Sequence, residues 1–152
     1  MSEEKIISSI YIETYCHATE DLRKVEKAVR NLFPEDLKKK IKFSYEKLEG
    51  YYGNPIIVLR TQINDSERAQ KIVKYLASLM DCLDKKHIKE TLNLRVDDSG
   101  NLYLRIDKQQ AYKGKARVIE HDDVIKFRIS FMPHIRKLES VEYYLKKLGM
   151  ID

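Results

Sequence analysis

The residues in this sequence best suited to chemistry are rings and cations standing close together. "GYYGNP", residues 50–55, sets Tyr51 beside Tyr52 in a stretch that otherwise has the small residues of a turn. "KQQAYKGKAR", residues 108–117, places Lys108, Lys113, Lys115 and Arg117 around Tyr112 with no acid among them, and Gly114 permits close backbone approach. Rings stack on unpaired nucleobases while Lys and Arg meet phosphates, so this mixture suits single-stranded RNA. Each stretch also has a plainer reading. The tyrosines can fold back onto a hairpin, and the acids of "EHDD", residues 120–123, can neutralise the cations before them.

Catalytic constellations are weaker. His17, His87, His121 and His134 lack HExxH-type spacing, Cys16 and Cys82 form no CxxC pair, and no Walker loop, GxGxxG or GxSxG occurs. Asp97, Asp98 and Asp107 are the acids from which a magnesium site for phosphodiester cleavage would be assembled, but Asp97 and Asp98 also suit a turn and Asp107 a strand end. Glu20 and Asp21 satisfy the dipole of the first helix and would repel an anion there, and His17 reads as a hydrogen-bonding residue at a strand end. No cofactor or metal is expected.

The elements that must position these residues follow from periodicity. Ile10, Ile12, Thr14 and Cys16 alternate with Tyr11, Glu13, Tyr15 and His17, which predicts a strand over 5–17. Thr19 is the expected N-cap of a helix whose Leu22, Val25, Ala28, Val29, Leu32 and Phe33 share one face and which Pro34 stops. Residues 41–49 and 55–63 pair as a hairpin across GYYGNP, with Gly50 and Gly53 tolerating positive φ and Pro55 at a strand's first residue. Asn64 and Glu67 resemble a capping box opening the longest helix, which keeps its period to Leu83, and a short helix follows over 84–93. A turn at 98–101, strands over 102–107 and 124–132, and a C-terminal helix at about 134–149 ended by Gly149 complete the order.

This order predicts one α+β domain over residues 1–152, an antiparallel sheet with helices packed on one face. The strands then turn Tyr11, Tyr15, His17, Lys42, Arg60, Gln62, Tyr103, Arg105, Lys126 and Arg128 to the other face. That face is basic and aromatic, as an RNA platform is, although any half-exposed sheet alternates apolar with polar residues. With 35% charged residues against the usual quarter and a net charge of +5, the chain favours an anionic partner. The two cysteines are expected as buried, reduced thiols, one in a strand and one in a helix. No signal-peptide pattern and no run of roughly 18 apolar residues occurs, so a soluble cytoplasmic protein with no membrane contact is expected.

"HATED" at 17–21, "EGYYGNPI" at 49–56 and "GNLYLRIDKQQAYKG" at 100–114 resemble, in order and spacing, an archaeal family of small proteins described as RNA-binding and as predicted exosome subunits. The resemblance implies a ribosomal protein L5-like fold, RNA as partner, exosome or ribosome-related proteins as further partners, and no catalytic residues. It marks His17, Gly50, Tyr52, Gly53, Asn54, Pro55, Arg105, Asp107, Lys108, Gln109, Tyr112 and Gly114 as signature positions, the glycines and proline for backbone geometry. Tyr51 departs from the His-Tyr that several members carry. Residues and resemblance together give an expected RNA-contact set of His17, Tyr51, Tyr52, Asn54, Arg60, Tyr103, Arg105, Lys108, Gln109, Tyr112, Lys113, Lys115 and Arg117. Asp107 is expected to organise its loop by pairing with Lys108 or a loop amide. The expected function is non-catalytic RNA binding in RNA processing, decay or ribosome-related work. The alternative is a protein-interaction subunit or homodimer using the same sheet face, and a magnesium-dependent nuclease is a third reading.

Overall fold

A computed structural model describes residues 4–50 and 53–152 of the chain. β1 (Ile7–Cys16) forms where the alternation is cleanest: Ile10, Ile12, Thr14 and Cys16 are buried, while Tyr11, Glu13 and Tyr15 lie half-buried on the other side. It pairs on one side with β3 (Pro55–Ile63), which carries β2 (Ser44–Glu49), and on the other with β5 (Val124–Phe131), which carries β4 (Asn101–Asp107). Every pairing is antiparallel, and the order β2-β3-β1-β5-β4 puts β1 at the centre. β2 begins at Ser44 rather than at 41. Ile41 and Phe43 precede it and pack against the core, with the Arg30 guanidinium 4.8 Å from the Phe43 ring.

Helices cover one face of this sheet. α1 (Leu22–Arg30) is capped by Asp21, whose carboxylate accepts from the Arg23 amide at 2.9 Å, and not by Thr19. The turn that follows β1, closed by Glu20 N–H on His17 O at 2.9 Å, delays the helix by two residues. α2 (Glu35–Lys38) follows Pro34. α3 (Ser66–Ser78) starts from Asp65, which accepts from the Glu67 and Arg68 amides, while Asn64 takes a bond from Gln62 instead. α3 stops five residues before Leu83, because Asp81 caps a new helix, α4 (Cys82–Glu90), by accepting from the Asp84 amide. That break turns Leu83 and Cys82 outward. Leu83 is 68% exposed, and Cys82 is an exposed thiol rather than a buried one. α5 (Leu92–Arg95), α6 (Lys108–Tyr112) and α7 (Leu138–Leu148) complete the set, α7 starting a few residues later than expected because Pro133–Ile135 forms a 3₁₀ turn.

The inward residues of the strands, among them Ile10, Ile12, Leu104, Phe127 and Ile129, meet Val29, Ile72, Val73, Leu76, Ile88, Val141 and Leu145 from the helices. Burying each such side chain stabilises the fold by roughly 1.5–3 kcal/mol, which is why one sheet face is closed. The result is α+β, with the second face of the sheet left open. Among the described residues no helix is long and apolar enough to cross a membrane.

Candidate nucleic-acid interface

The strand registers arrange the open face in rows. Gln62, Tyr11, Arg128 and Tyr103 stand opposite one another across β3, β1, β5 and β4. The next row is Ser44, Arg60, Glu13, Lys126 and Arg105, and beyond it Glu46, Val58 and Tyr15. Rings and cations alternate across the first row, from Tyr11 through Arg128 to Tyr103, and the second row sets Arg60, Lys126 and Arg105 around Glu13. Arg128 lies 4.8 Å from the Tyr11 ring centre and Lys126 5.4 Å from that of Tyr15, within cation–π reach. A base arriving here meets ring–cation stacks, and guanidinium planes stack bases as rings do.

Glu13 organises the middle of the face. Its carboxylate accepts from Tyr11 Oη at 2.8 Å, Tyr15 Oη at 3.3 Å and Arg60 Nε at 3.1 Å. Burial works against its charge, but the hydrogen bonds from Tyr11, Arg60 and Tyr15 outweigh it and hold the carboxyl below its usual range. The Tyr11 and Tyr15 phenols are pushed up by burial and by Glu13. Arg60 also donates to Glu46 at 2.7 Å. Tyr103 is 43% exposed and donates to Asp97 Oδ2 at 2.9 Å. Arg105 donates to His121 O at 2.7 Å and to Asp122, while its buried Nε has no partner among the described residues.

One end of the sheet gathers the distinctive stretches. Glu49 pairs with Pro55, Ile57 with Cys16, Thr14 with Ile125 and Val124 with Asp107. The hairpin end, His17 and the start of α6 thus share that end. Lys108 ties it together. It is 4% exposed, and its ammonium donates to Tyr15 O at 2.7 Å, to both Glu20 oxygens at 2.9 and 3.1 Å, and pairs with Asp123 at 2.9 Å. Gln109 donates to the other Asp123 oxygen at 3.2 Å. Burial opposes the Asp123 charge, yet the bonds from Lys108 and Gln109 prevail and keep its carboxyl below the usual value.

A family model described as RNA binding matches residues 9–131, from β1 through β5 and so the whole sheet. The chain belongs to this RNA-binding family. A protein of Pyrococcus abyssi named as an RNA-binding protein is 40% identical over 134 residues, covering 88% of this chain and 87% of that protein. Two solved structures described as DUF54 proteins share the architecture. The one from Archaeoglobus fulgidus has a TM-score of 0.78 at 30% identity over 93% of this chain and 99% of its own, and the one from Methanothermobacter thermautotrophicus 0.76 at 30% over 94% and 98%.

The expected contact residues of this family member fall into three groups. Arg60, Tyr103 and Arg105 lie on the open face. His17 and Gln109 line a hollow with Tyr15 and Lys126 at the sheet end, and Asn54 is exposed at the same end, where its carbonyl accepts from Gly50 N–H. Tyr51 and Tyr52 lie outside the described residues. The segment 108–117 corrects the expectation of one basic loop. Lys108–Tyr112 is helical, and Lys108 is occupied by carboxylates in the interior. Arg117 pairs with Asp84 at 3.0 Å, and Lys113 and Lys115 are exposed cations that form no ion pair among the described residues. Of the three acids in "EHDD", Asp123 neutralises Lys108, but Asp122 and Glu120 turn to Arg105 and Arg95.

The acids considered for metal binding have structural duties. Asp97 accepts from the Ser99 and Asn101 amides at 2.9 Å, and Asp107 caps α6 by accepting from the Gln109 amide at 3.1 Å, a helix-capping role in place of the expected pairing with Lys108 or a loop amide. Among the described residues no three His, Cys, Asp or Glu side chains group as metal ligands. Lys42 precedes β2 and stands outside the sheet. Glu13 was legible as a residue of the open face from its place between Tyr11 and Tyr15, but its partners were not. Glu20 and Asp123 reach Lys108 across 88 and 15 positions, a pairing that no local pattern signals.

Proposed function

We propose that the protein binds single-stranded RNA without cleaving it, on the open face of its sheet. The observation that carries this is the row Gln62–Tyr11–Arg128–Tyr103 beside the row Arg60–Glu13–Lys126–Arg105, rings and cations in register on the sheet face opposite the hydrophobic core, with α4 and α5 bordering only its Tyr103–Arg105 end. Glu13 holds the two β1 rings by their hydroxyls and keeps phosphates away from the centre, so bases lie over the rings and the backbone runs along the cations. Residues 1–152 act as one RNA-binding domain of ribosomal protein L5-like fold. The likeness of residues 17–21, 49–56 and 100–114 to predicted exosome subunits supports a cytoplasmic setting in RNA processing, decay or ribosome-related work.

A salt titration of RNA affinity tests the reading. Arg128→Gln should reduce the slope of log K against log salt by about 0.7, the value for one phosphate contact to a single strand. Tyr103→Ala should cost on the order of 1–3 kcal/mol with the slope nearly unchanged, because stacking releases no counterions. Two variants that bind as the parent does would remove this face from the site. Loss of an oligomer in Tyr103→Ala with RNA affinity intact would make the face a protein interface instead.

A further inference from the structure

The open face does not stop at the end of the sheet. A hollow of about 560 Å³ opens there between Tyr15, His17, Lys126 and Gln109. Behind it, a second hollow of about 290 Å³ runs between α1 and α6, walled by Lys24, Val25, Ala28 and Tyr112, with Asp21 beside Glu20 at the end nearest the rim. Thr19, Glu20 and Gln109 line both, so the two hollows lie on either side of one shared rim.

The second hollow, like the first, sets a cation beside a tyrosine ring, with carboxylates confined to the side toward the rim. Lys24 and Lys27 are exposed one helical turn apart on α1, and Lys27 Nζ lies 5.2 Å from the Tyr112 ring centre. Asn31 donates to the Ala111 and Tyr112 carbonyls, each at 3.1 Å, which fixes α6 and its ring against α1. Lys113 follows directly and is exposed. The rim between the hollows is different. There Glu20 and Asp123 present carboxylates, held in place by the buried ammonium of Lys108. Carboxylates repel phosphate but accept hydrogen bonds from the amino edges of bases. A strand can therefore cross the rim only with its bases toward the protein, and each base must be unstacked to do so.

Resting on the RNA reading above, we propose that a single RNA strand leaves the sheet face past Tyr15, crosses the rim at Glu20 and Gln109, and continues into the groove between α1 and α6. There Lys24 and Lys27 meet its phosphates, and the Tyr112 ring packs against a base. This second subsite lies on the helical side of the molecule, on residues that strand alternation does not reach.

Fluorescence anisotropy on the full chain tests this, with labelled single-stranded RNA of about four and about ten nucleotides. The parent should show a steeper salt slope for the longer oligomer. The double variant Lys24→Gln/Lys27→Gln, whose two positions are exposed and whose fold should persist, should lower the ten-nucleotide slope by about 1.4, twice the single-contact value. An unchanged slope in the double variant overturns the proposal. If Arg128→Gln weakens the ten-nucleotide oligomer while the lysine pair does not, the second subsite falls and the sheet-face reading stands. If the parent binds neither oligomer, both fall.

Discussion

Replacing Lys108 by Met keeps the length of the buried stem and removes only the ammonium, so it isolates what that charge contributes. Three groups lose a charge-assisted hydrogen bond: Tyr15 O, Glu20 and Asp123. Breaking a fully buried ion pair from one side typically costs about 3–5 kcal/mol. Here Glu20 keeps 22% and Asp123 39% of its side-chain exposure, so water recovers part of that loss. A cost of about 3 kcal/mol is expected, equivalent to a fall of roughly 6–12 °C in Tm for a chain of this size. Thermal and urea unfolding measure it. Adding Glu20→Gln should cost less in the Lys108→Met background than in the parent, because a neutral amide removes an uncompensated charge. A midpoint shift worth less than about 0.5 kcal/mol, or strict additivity of the two changes, would refute the junction. The salt slope of RNA binding by the folded variant should match that of the parent. A fall of about 0.7 in that slope would instead show Lys108 to be a phosphate contact.

Two glycines give a paired prediction. Gly100→Ala meets a φ of +78° and places its Cβ 2.6–2.8 Å from Arg136 Cα, Cβ and Cγ, whereas Gly114→Ala meets a φ of +83° with no atom within 4 Å. Gly114→Ala should cost only the left-handed backbone penalty of about 1–2 kcal/mol, and Gly100→Ala clearly more; equal losses in urea unfolding would contradict this. The acid limb of stability should also be readable. The carboxyls of Glu13, Asp97, Glu120 and Asp123 all titrate below their unfolded values of 4.5 for Glu and 3.8 for Asp. Their contribution is present above those values and is lost as pH falls through the lower folded ones, so Tm should drop below about pH 4.5. Asp84, raised chiefly by burial, works in the opposite sense, since its penalty is relieved on protonation. A Tm that stays flat down to pH 3 would mean that these hydrogen bonds do not differ between the folded and unfolded chain.

The alternation of Ile10 to His17 and of Val124 to Phe131 was enough to give the strands and their two faces, because a two-residue period assigns every side chain once a single face is buried. It placed Tyr11, Arg60, Tyr103, Arg105, Lys126 and Arg128 together before any strand order was known. Helix ends were less legible. Thr19, Asp21, Asn64 and Asp65 are all acceptable caps, and only the turn after β1 and the Gln62–Asn64 bond select between them. The break at Asp81 was hidden for the same reason, since apolar spacing runs on through Leu83 although that side chain faces solvent.

What a residue does with its charge was decided only by tertiary structure. In the sequence, Lys108, Lys113, Lys115 and Arg117 look equivalent. In the fold Lys108 is sealed between Glu20 and Asp123, Arg117 is bound to Asp84, and Lys113 and Lys115 face solvent. The physical reason is range. Hydrophobic periodicity is set by near neighbours along one element, whereas a buried ion pair is set by groups that meet only after the whole sheet has closed, here from β1, α6 and the loop before β5.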